Sequence, residues 1–265
     1  MKLTFPIFIL SLIVMSCATS PLGRSQLNMM PESQMATMGA SSFEEMKKQT
    51  PIERDPKVNA YIRCIAEPIL IANSGSYSES QNWEIVVFKD KAVNAFALPG
   101  RKIGVYTGII PVANSPSQMA AILGHEVGHV IAHHGNERVS QALLVQGGLA
   151  AASVAMKDKN SPKFQLIMAG LGLGAQFGIL MPFSRTQESE ADVIGLQLMA
   201  EAGFDPREAV TLWQNMAKAG GGGPPEFLST HPSNQTRINN IRSKLPEVFP
   251  LFEKIPQAKR PQCSL

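Results

Sequence analysis

The chain has 265 residues, of which 44% are apolar and 17% are charged, and its formal net charge is +3. An apolar fraction of this size can build a packed core, which excludes a disordered, collagenous or coiled-coil chain. The 24 Lys and Arg residues are scattered along the sequence, so the composition gives no case for nucleic-acid binding. The scarce residue types are Cys, with three residues, and His, with five.

The N-terminus predicts an export signal. Residues 1–16 carry one charge, at Lys2, and then an apolar run up to Met15 that is too short to cross a bilayer comfortably. A small residue and Cys17 follow this run, a pattern that resembles a bacterial lipoprotein signal, in which cleavage frees the thiol for lipid attachment. We therefore expect a lipid anchor at Cys17, and Ala18 after it favours the outer membrane. An ordinary signal peptide cleaved nearby is the alternative.

Residues 17–42, which follow the signal, show no apolar period. They are rich in Met, Ser, Pro and Gln, a composition typical of a flexible tether. Residues 43–265 are then expected to form one folded domain. Because an exported chain enters an oxidising compartment, Cys64 and Cys263 can form a disulfide that ties the C-terminal tail to an early helix. Two unpaired thiols are the alternative.

The first part of the folded domain predicts one helix and three strands. From Asp55 onward, apolar residues recur at spacings of three and four, which indicates an amphipathic helix. Three short stretches rich in β-branched and aromatic residues follow, separated by turn-forming residues, and we expect them to form a small antiparallel meander. These stretches are Trp83–Phe88, Ala92–Leu98 and Lys102–Tyr106.

The next part of the chain is predicted to be mainly helical. Ser115, Pro116 and Gln118 are suited to the N-cap, the first helical position and the capping-box position of one helix. Further along, residues 164–183 carry no charge, so the segment Leu143–Phe183 could be embedded in a membrane. Its glycines and glutamines favour a close-packed Gly/Ala helix instead.

The helix that starts at Ser115 contains the sequence His125-Glu126-Val127-Gly128-His129. Residues four apart project from one face of a helix, so His125 and His129 can both bind one Zn²⁺ through their imidazoles. Glu126 is placed to take a proton from a zinc-bound water rather than to bind the metal. Chance occurrence is the alternative, and the capped amphipathic helix argues against it.

A catalytic zinc needs a third protein ligand and an open position. One known extension of the motif has a Gly and a His after the second ligand, but Ala132 and Gly135 stand at those positions. The third ligand must therefore come from elsewhere. Glu188 and Asp192 are four apart on a predicted helix, so one carboxylate can bind the metal while the other orients a ligating His. We expect Glu188 to be the ligand, with an exposed helix carboxylate as the alternative.

Four motifs in this order carry a resemblance to a known family. They are similar to motifs of the zinc metallopeptidase family of HtpX and the CAAX prenyl proteases, and most similar to those of its periplasmic lipoprotein group, of the LoiP, YcaL and BepA type. The resemblance covers roughly Asp55 to Leu245. The sequence differs from HtpX in lacking convincing transmembrane helices and from BepA in lacking a tetratricopeptide domain. The motifs are Asn94–Gly100, His125–His129, Ser184–Asp192 and Ser229–Ile238.

The resemblance implies a fold and further site residues. The expected fold is α+β, a mainly helical gluzincin-type metallopeptidase with a small antiparallel sheet beside the active-site helix and one Zn²⁺ per chain. His231 matches a family His near the metal, where it stabilises the oxyanion or, in a latent state, occupies the open zinc position. Arg237 matches a family Arg near the cleft. The sheet edge on which an extended substrate could pair corresponds to Asn94, Ala95, Phe96, Ala97 and Leu98.

The predicted function is that of a zinc-dependent endopeptidase, in which Glu126 activates a water that hydrolyses peptide bonds of misfolded or envelope proteins. The expected location is the bacterial cell envelope, with the chain anchored by lipid to the outer membrane and facing the periplasm. An envelope chaperone or assembly factor with little protease activity is the alternative. A zinc hydrolase acting on a non-peptide bond is disfavoured by the substrate-pairing strand.

Overall fold

The chain divides into two compact units, which are described separately. The first comprises Met1–Gln34 and His133–Met181, and the second comprises Met35–Ala132 and Pro182–Leu265. The sequence predicts one folded domain over residues 43–265, and that domain assignment stays a prediction. The predicted signal, residues 1–16, lies outside the described residues. The computed structural model describes residues 17–74, 82–155, 183–219, 226–231 and 235–265.

The first unit contains a hairpin and a helix. Strands β1 (Cys17–Thr19) and β2 (Ser25–Leu27) pair antiparallel, and Gly23 adopts a positive φ of 84° in the turn between them. Arg24, at the end of this turn, donates two hydrogen bonds of 2.7 and 2.8 Å to the carboxylate of Glu137, which lies in the helix His134–Ala155. The bidentate pair fixes the hairpin against the helix.

The predicted tether differs from the structure, because its second half is helical. The first helix, α1, spans Glu32–Gln49. Met35, Gly39 and Phe43 are buried and lie four residues apart, so they form one stripe along α1. The sequence reasoning missed this stripe because its middle member is a glycine, which has no side chain to mark the apolar period.

The second unit contains a three-stranded sheet with the order β3-β5-β4. Strand β3 (Glu84–Phe88) pairs parallel with β5 (Lys102–Tyr106), and β4 (Ala95–Leu98) pairs antiparallel with β5. The expected antiparallel meander is therefore wrong in strand order and direction. The reason is burial: three consecutive residues of β5 are buried, so β5 takes the centre, whereas β4 buries one residue and lies at the edge.

Helices make up most of the second unit, which confirms the expected α+β class. Helix α3 lies at its centre, since every residue from Gln118 to His129 is buried. Within the described parts of the chain, no helix combines the length and apolar content needed to cross a bilayer. Most of Leu143–Phe183 lies outside the described residues. The helices are α2 (Pro56–Ser74), α3 (Pro116–Ile131), α4 (His134–Ala155, in the first unit), α5 (Arg185–Glu201), α6 (Glu208–Ala219), α7 (Glu226–Thr230) and α8 (Gln235–Glu253).

Two features fix the position of α5 in the second unit. Its glycine Gly195 lies against the backbone of α3, where a Cβ would be 2.7 Å from the backbone nitrogen of His125. Its C-terminus ends at Gly203, which has a positive φ of 85° and contacts the C-terminal tail at Pro261. The same tail is joined to α2 by a disulfide between Cys64 and Cys263, with a Cα–Cα distance of 5.7 Å.

Candidate active site

Helix α3 places two histidines and a glutamate at the centre of the second unit. The helix begins as the sequence predicts: the side chain of Ser115 accepts a hydrogen bond from the backbone nitrogen of Gln118. His125, Glu126 and His129 are each 3% exposed. Polar groups buried to this extent need partners, and the partners come from α5 and from the residues after α7.

The start of α5 explains how Glu188 reaches the histidines. Ser184 and Gln187 form a complete capping box, in which each side chain accepts from the backbone nitrogen of the other. Because Glu188 follows Gln187 directly, the cap fixes the turn of the helix that carries Glu188. The Ser-x-x-Gln pattern at Ser184 and Gln187 is a sequence signal for this helix start.

Four donor atoms converge in one cluster. Nε2 of His125 lies 3.0 Å from Nε2 of His129 and 3.1 Å from Nδ1 of His231. Oε1 of Glu188 lies 3.3 Å from Nε2 of His129 and 3.0 Å from Nδ1 of His231. Ligands about 2.1 Å from a tetrahedral zinc are themselves roughly 3.4 Å apart, so these spacings suit one zinc ion. The four residues form one candidate metal cluster within the described part of the chain.

Asp192 and Arg237 form a second layer behind the cluster. Asp192 lies 3.0 Å from Nδ1 of His125, which leaves Nε2 of that ring to face the cluster. Arg237 donates to both oxygens of Asp192, at 2.7 and 2.8 Å, and its Nη1 lies 2.5 Å from Glu188. A single guanidinium therefore contacts both carboxylates that face the histidines.

The pKa values of Glu126 and Glu188 shift in opposite directions in this cluster. Burial alone would raise the pKa of Glu188, but His125 and the other neighbouring histidines hold it well below its usual range. Burial raises the pKa of Glu126, and the charges of His231 and His125 offset this only in part. Glu188 is therefore the better anionic ligand, and Glu126 is the better proton acceptor and donor.

The pKa values of His125 and His129 shift in opposite directions, because the carboxylates outweigh burial at His125 and burial outweighs them at His129. Burial opposes protonation of His125, but the carboxylates of Glu188 and Asp192 outweigh it and raise the pKa to about 9. Burial lowers the pKa of His129 well below its ordinary value. Two imidazoles 3.0 Å apart cannot both carry a proton on the facing nitrogens, so at most one proton lies between them, and a metal ion bound there would replace it.

Glu126 faces the cluster and the sheet. Its carboxylate accepts a hydrogen bond from the backbone of Ala97 in β4. Its Oε1 is buried without a hydrogen-bond donor among the described residues and lies 3.4 Å from Nε2 of His231. An orphaned carboxylate oxygen beside four converging ligand atoms fits a water held on a metal ion.

The edge strand β4 offers backbone groups beside this site. The backbone nitrogen of Tyr106 donates to the carbonyl of Asn94, so Asn94 and every second residue after it face β5. The backbone groups of Ala95 and Ala97 then point to the free edge, and Ala97 already donates to Glu126. Asn94 lies one residue before the strand, which begins at Ala95.

Three aromatic residues that the sequence reasoning missed surround the cluster. Trp213 of α6 lies under the guanidinium of Arg237, with 3.6 Å from Cζ to the ring centroid. Phe183 stacks on His129 at 3.7 Å between centroids, and Phe227 stacks on His231 at 4.6 Å. No sequence signal distinguishes these side chains from ordinary core residues.

The structure thus brings together seven of the predicted site residues, while the three cysteines lie outside the cluster. Cys17 begins strand β1 in the first unit, and Cys64 and Cys263 form the disulfide described above. The seven are His125, Glu126, His129, Glu188, Asp192, His231 and Arg237.

A mainly helical α+β unit in which two packed helices direct two histidines and a glutamate at one point has the architecture of a gluzincin-type zinc metallopeptidase. The chain belongs to peptidase family M48, whose sequence pattern matches residues 56–245. The expected zinc metallopeptidase class and the expected zinc are thereby confirmed.

Individual relatives show which members of the family the chain is similar to. The mitochondrial metalloendopeptidase OMA1 of Schizosaccharomyces pombe is 42% identical over 182 residues, which cover 67% of this chain and 50% of the relative. Human mitochondrial metalloendopeptidase OMA1 is 30% identical over 247 residues, 88% of this chain and 47% of the relative. The beta-barrel assembly-enhancing protease of Yersinia pestis is 29% identical over 228 residues, 82% and 45% respectively. The chain spans about half the length of these relatives.

The relatives contradict the predicted location. The fission yeast protein, at 42% identity, and the human protein are both mitochondrial, whereas the bacterial protease from Yersinia pestis shares 29%. The expected lipid-anchored location at a bacterial outer membrane is therefore wrong, and no finding supports lipid attachment at Cys17. The error arose because a short apolar run before a cysteine outweighed the peptidase motifs, which carry no information about location. The narrower assignment within the family, to the LoiP, YcaL and BepA type, stays a prediction.

Proposed function

We propose that the chain is a zinc-dependent endopeptidase that hydrolyses peptide bonds of unfolded or misfolded proteins. The observation that carries the proposal is the position of Glu126. Its carboxylate is buried beside the metal-ligand atoms of His125, His129 and Glu188, and one of its oxygens has no hydrogen-bond donor among the described residues. Buried carboxylate oxygens without a donor are uncommon, and the one on Glu126 lies 3.4 Å from Nε2 of His231, beside the cluster. This glutamate is placed to exchange a proton with a reacting water.

The proposed roles follow from the contacts. His125, His129 and Glu188 would hold the zinc, which when bound supplies a Lewis acid that polarises the scissile carbonyl and lowers the pKa of a water to about 7. Glu126 accepts the proton of the attacking water at Oε1 and then gives it to the leaving amine. Asp192 and Arg237 keep His125 and Glu188 aimed at the metal.

The substrate would bind in an extended form along β4. The edge of this strand that faces away from β5 presents the backbone groups of Ala95 and the carbonyl of Ala97, whose N–H is donated to Glu126. An extended peptide can pair with these groups as an added strand. Pairing through the backbone is independent of side-chain identity, and it requires a segment that is not already paired. Both properties support unfolded or misfolded proteins as substrates.

The test separates metal binding from turnover. Glu126→Gln is expected to retain one zinc per chain, measured by mass spectrometry of bound metal, and to lose cleavage of casein by about a hundredfold or more. Glu253→Gln, an exposed change on α8, is the matched control and should cleave like the parent chain. If Glu126→Gln still cleaves casein at the parent rate, the assignment of the base is wrong.

A second candidate function is supported by His231. Its Nδ1 lies 3.1 and 3.0 Å from donor atoms of His125 and Glu188, so it occupies the position of a fourth ligand. Four protein donors leave a tetrahedral zinc without an open position. This favours a latent protease that acts mainly as a chaperone or assembly factor, and the Yersinia pestis relative is named both for assembly and for proteolysis.

The two candidates differ in what His231→Ala does. If His231 keeps the chain latent, removing the imidazole should raise casein cleavage several-fold while the zinc content stays at one per chain. If His231 stabilises the reacting carbonyl oxygen, the same change should lower cleavage. A chain that suppresses aggregation of unfolded protein equally well with and without Glu126, and cleaves nothing, would be a chaperone.

A further inference from the structure

A pocket of about 240 Å³ lies between α5 and α8, behind the metal ligands. This volume is below the roughly 300–1,000 Å³ of sites for drug-sized ligands, so it suits a group of side-chain size. Its lining among the described residues includes Glu188, Asp192 and Arg237 but neither Glu126 nor the three histidines of the cluster. The pocket therefore opens on a different side of the Glu188–Arg237 contact from the proposed base.

The charged side chains that line this pocket are three cations, Arg185, Arg237 and Lys244, and two carboxylates. Its two carboxylates, Glu188 and Asp192, are already held by the guanidinium of Arg237. Arg185, on the exposed rim, has no ion-pair partner among the residues that the structure describes. Lys244, half-buried in the lining, lies 2.9 Å from Glu247 of its own helix, in a pair exposed enough to be weak.

The remaining lining adds donors and an apolar wall. Arg185 is the first residue of α5, so the first turn of that helix, whose dipole favours negative charge, contributes to the pocket, and Thr236 of α8 adds a hydroxyl group. Val193, Leu196 and Ile241 form an apolar side that could pack against methylene groups. The chemistry that matches is a negative charge on a short apolar stem.

We propose that this pocket is a carboxylate-binding site, formed between Arg185 and Lys244, that accepts an acidic group carried on a short aliphatic chain. Two sources share this chemistry: a free dicarboxylate and an acidic side chain of a bound peptide. The second source rests on the proposed function, because it requires a peptide substrate. The carboxylate would exchange hydration for two cationic contacts, and its stem would cover the apolar wall.

The first experiment tests the site without using activity. Glutarate is titrated into the zinc-loaded full chain by isothermal calorimetry, and we expect saturable binding that weakens with added salt. Arg185→Gln combined with Lys244→Gln should weaken that binding by about tenfold. Arg242→Gln, which removes an exposed cation of α8 outside the pocket, is the matched control and should leave it unchanged.

Glutarate that bound directly to the zinc would be unaffected by the double substitution, so the two modes are distinguishable. Glu247→Gln releases Lys244 and should tighten binding. The proposal is overturned if glutarate does not bind at concentrations up to tens of millimolar, or if it binds the double variant as well as the parent chain. Either outcome leaves the assignment of Glu126 as the base intact.

The second experiment identifies the source of the carboxylate. A peptide series carries one Glu at successive positions around the cleaved bond, with Gln at the same positions as the control. If the peptide supplies the carboxylate, one Glu position should lower KM several-fold, and glutarate should compete with that peptide. If glutarate binds while Glu and Gln peptides behave alike, the natural occupant is a free carboxylate.

Discussion

Two close backbone contacts support the candidate site. One is accompanied by buried charged side chains and the other by apolar packing. Helix α5 approaches α3 through Gly195 and joins it through Asp192 and Glu188, which contact His125 and His129 of α3. Arg237 of α8 holds both carboxylates from the other side. Helix α1 approaches the turn between β4 and β5 through Gly39, whose Cα lies against the backbone of Pro99. Around that second contact the packing is apolar.

The difference shows which part of the site depends on charge. The α3–α5 contact sets the metal ligands, whose mutual repulsion and attraction have to be balanced in a buried place. The α1 contact sets the edge strand β4, which has to be held flat and in place but carries no charge. Around the second contact, the rings of Phe43, Phe88 and Phe96 lie 6.0 to 6.1 Å apart. We therefore expect substitutions to separate metal binding from substrate binding.

The largest effect is expected at Arg237. Arg237→Met removes a buried cation and leaves the carboxylates of Asp192 and Glu188 facing each other, which should lower the free energy of unfolding by about 3–5 kcal/mol. It should also reduce zinc retention after dialysis against a weak chelator. Chemical denaturation and metal analysis measure the two effects.

Two further variants distinguish a loss of ligand positioning from simple misfolding. Arg237→Lys keeps the charge but not the planar fork, so it should recover part of the stability and less of the zinc retention. Arg242→Met, on the exposed side of α8, should change neither. Full zinc retention in Arg237→Met would show that the second layer does not position the ligands.

A smaller effect with a different signature is expected at Gly39. A Cβ at this position would lie 2.0 Å from the carbonyl oxygen of Pro99, so Gly39→Ala forces α1 away from the β4–β5 turn. The cost should be about 1–3 kcal/mol of unfolding free energy, reduced somewhat by the better helix propensity of Ala. Zinc affinity should stay unchanged while KM for casein peptides rises, because β4 moves and the metal ligands do not.

The matched control for Gly39→Ala is Ser41→Ala, an exposed position of the same helix. It should leave both KM and stability close to those of the parent chain. A fall in zinc affinity in Gly39→Ala would contradict the separation of the two supports.

Gly195→Ala is expected to lower zinc affinity and leave KM unchanged, which is the reverse of Gly39→Ala, and to destabilise the fold less. Its Cβ would lie 2.7 Å from the backbone nitrogen of His125, so α5 must shift by a few tenths of an ångström against α3. Because Ala also favours the helix, the net loss should be about 1 kcal/mol. Zinc affinity, measured by competition with a chelator, should fall, and KM should not change.

Gly147→Ala provides the control, since a Cβ at that helical glycine would meet no described atom within 4 Å outside its own stretch of helix. It is expected to be neutral or slightly stabilising. If Gly195→Ala and Gly147→Ala bind zinc equally well, the close approach of α3 and α5 does not set the ligand geometry.

The same division explains what could be predicted from the sequence. His125, Glu126 and His129 belong to one helical turn, so their spacing alone predicts a shared face. Glu188 and Asp192 are equally local, and the family resemblance linked them to the first helix. The position of His231 between His125 and Glu188 depends on how α7 packs, and only the resemblance suggested it.

Contacts that depend on backbone approach were not predictable in this way. The Gly39–Pro99 contact joins residues sixty positions apart and leaves no apolar period, so the first part of α1, up to residue 42, is predicted to belong to a tether. The central position of β5 also follows from tertiary burial, because its apolar residues resemble those of β3 in composition. Trp213 of α6 contacts Arg237 of α8, and the sequence around Trp213 is that of a core residue.

The smallest expected effect concerns a charged cluster between α1 and the sheet, formed by Glu84, Lys47 and Lys102. Glu84 of β3 contacts Lys47 of α1 at 2.7 Å and Lys102 of β5 at 2.8 Å. Partial burial would raise the pKa of Glu84, but the bonds to Lys102 and Lys47 outweigh it and lower the pKa. A carboxyl with a lowered pKa in the folded state stabilises the fold above its ordinary pKa of 4.5, and this contribution disappears as the pH falls through the lowered value.

Glu84→Gln should therefore lower the denaturation midpoint slightly at pH near 7 and not at all in strong acid. The side chain is 34% exposed, so solvent screens both pairs and the loss should be about 0.2–1 kcal/mol. It should shrink further in high salt. Urea titrations of parent and variant at several pH values measure this difference. A loss as large as that of Arg237→Met would mean that charge also holds the β4 support, and the contrast between the two contacts would fail.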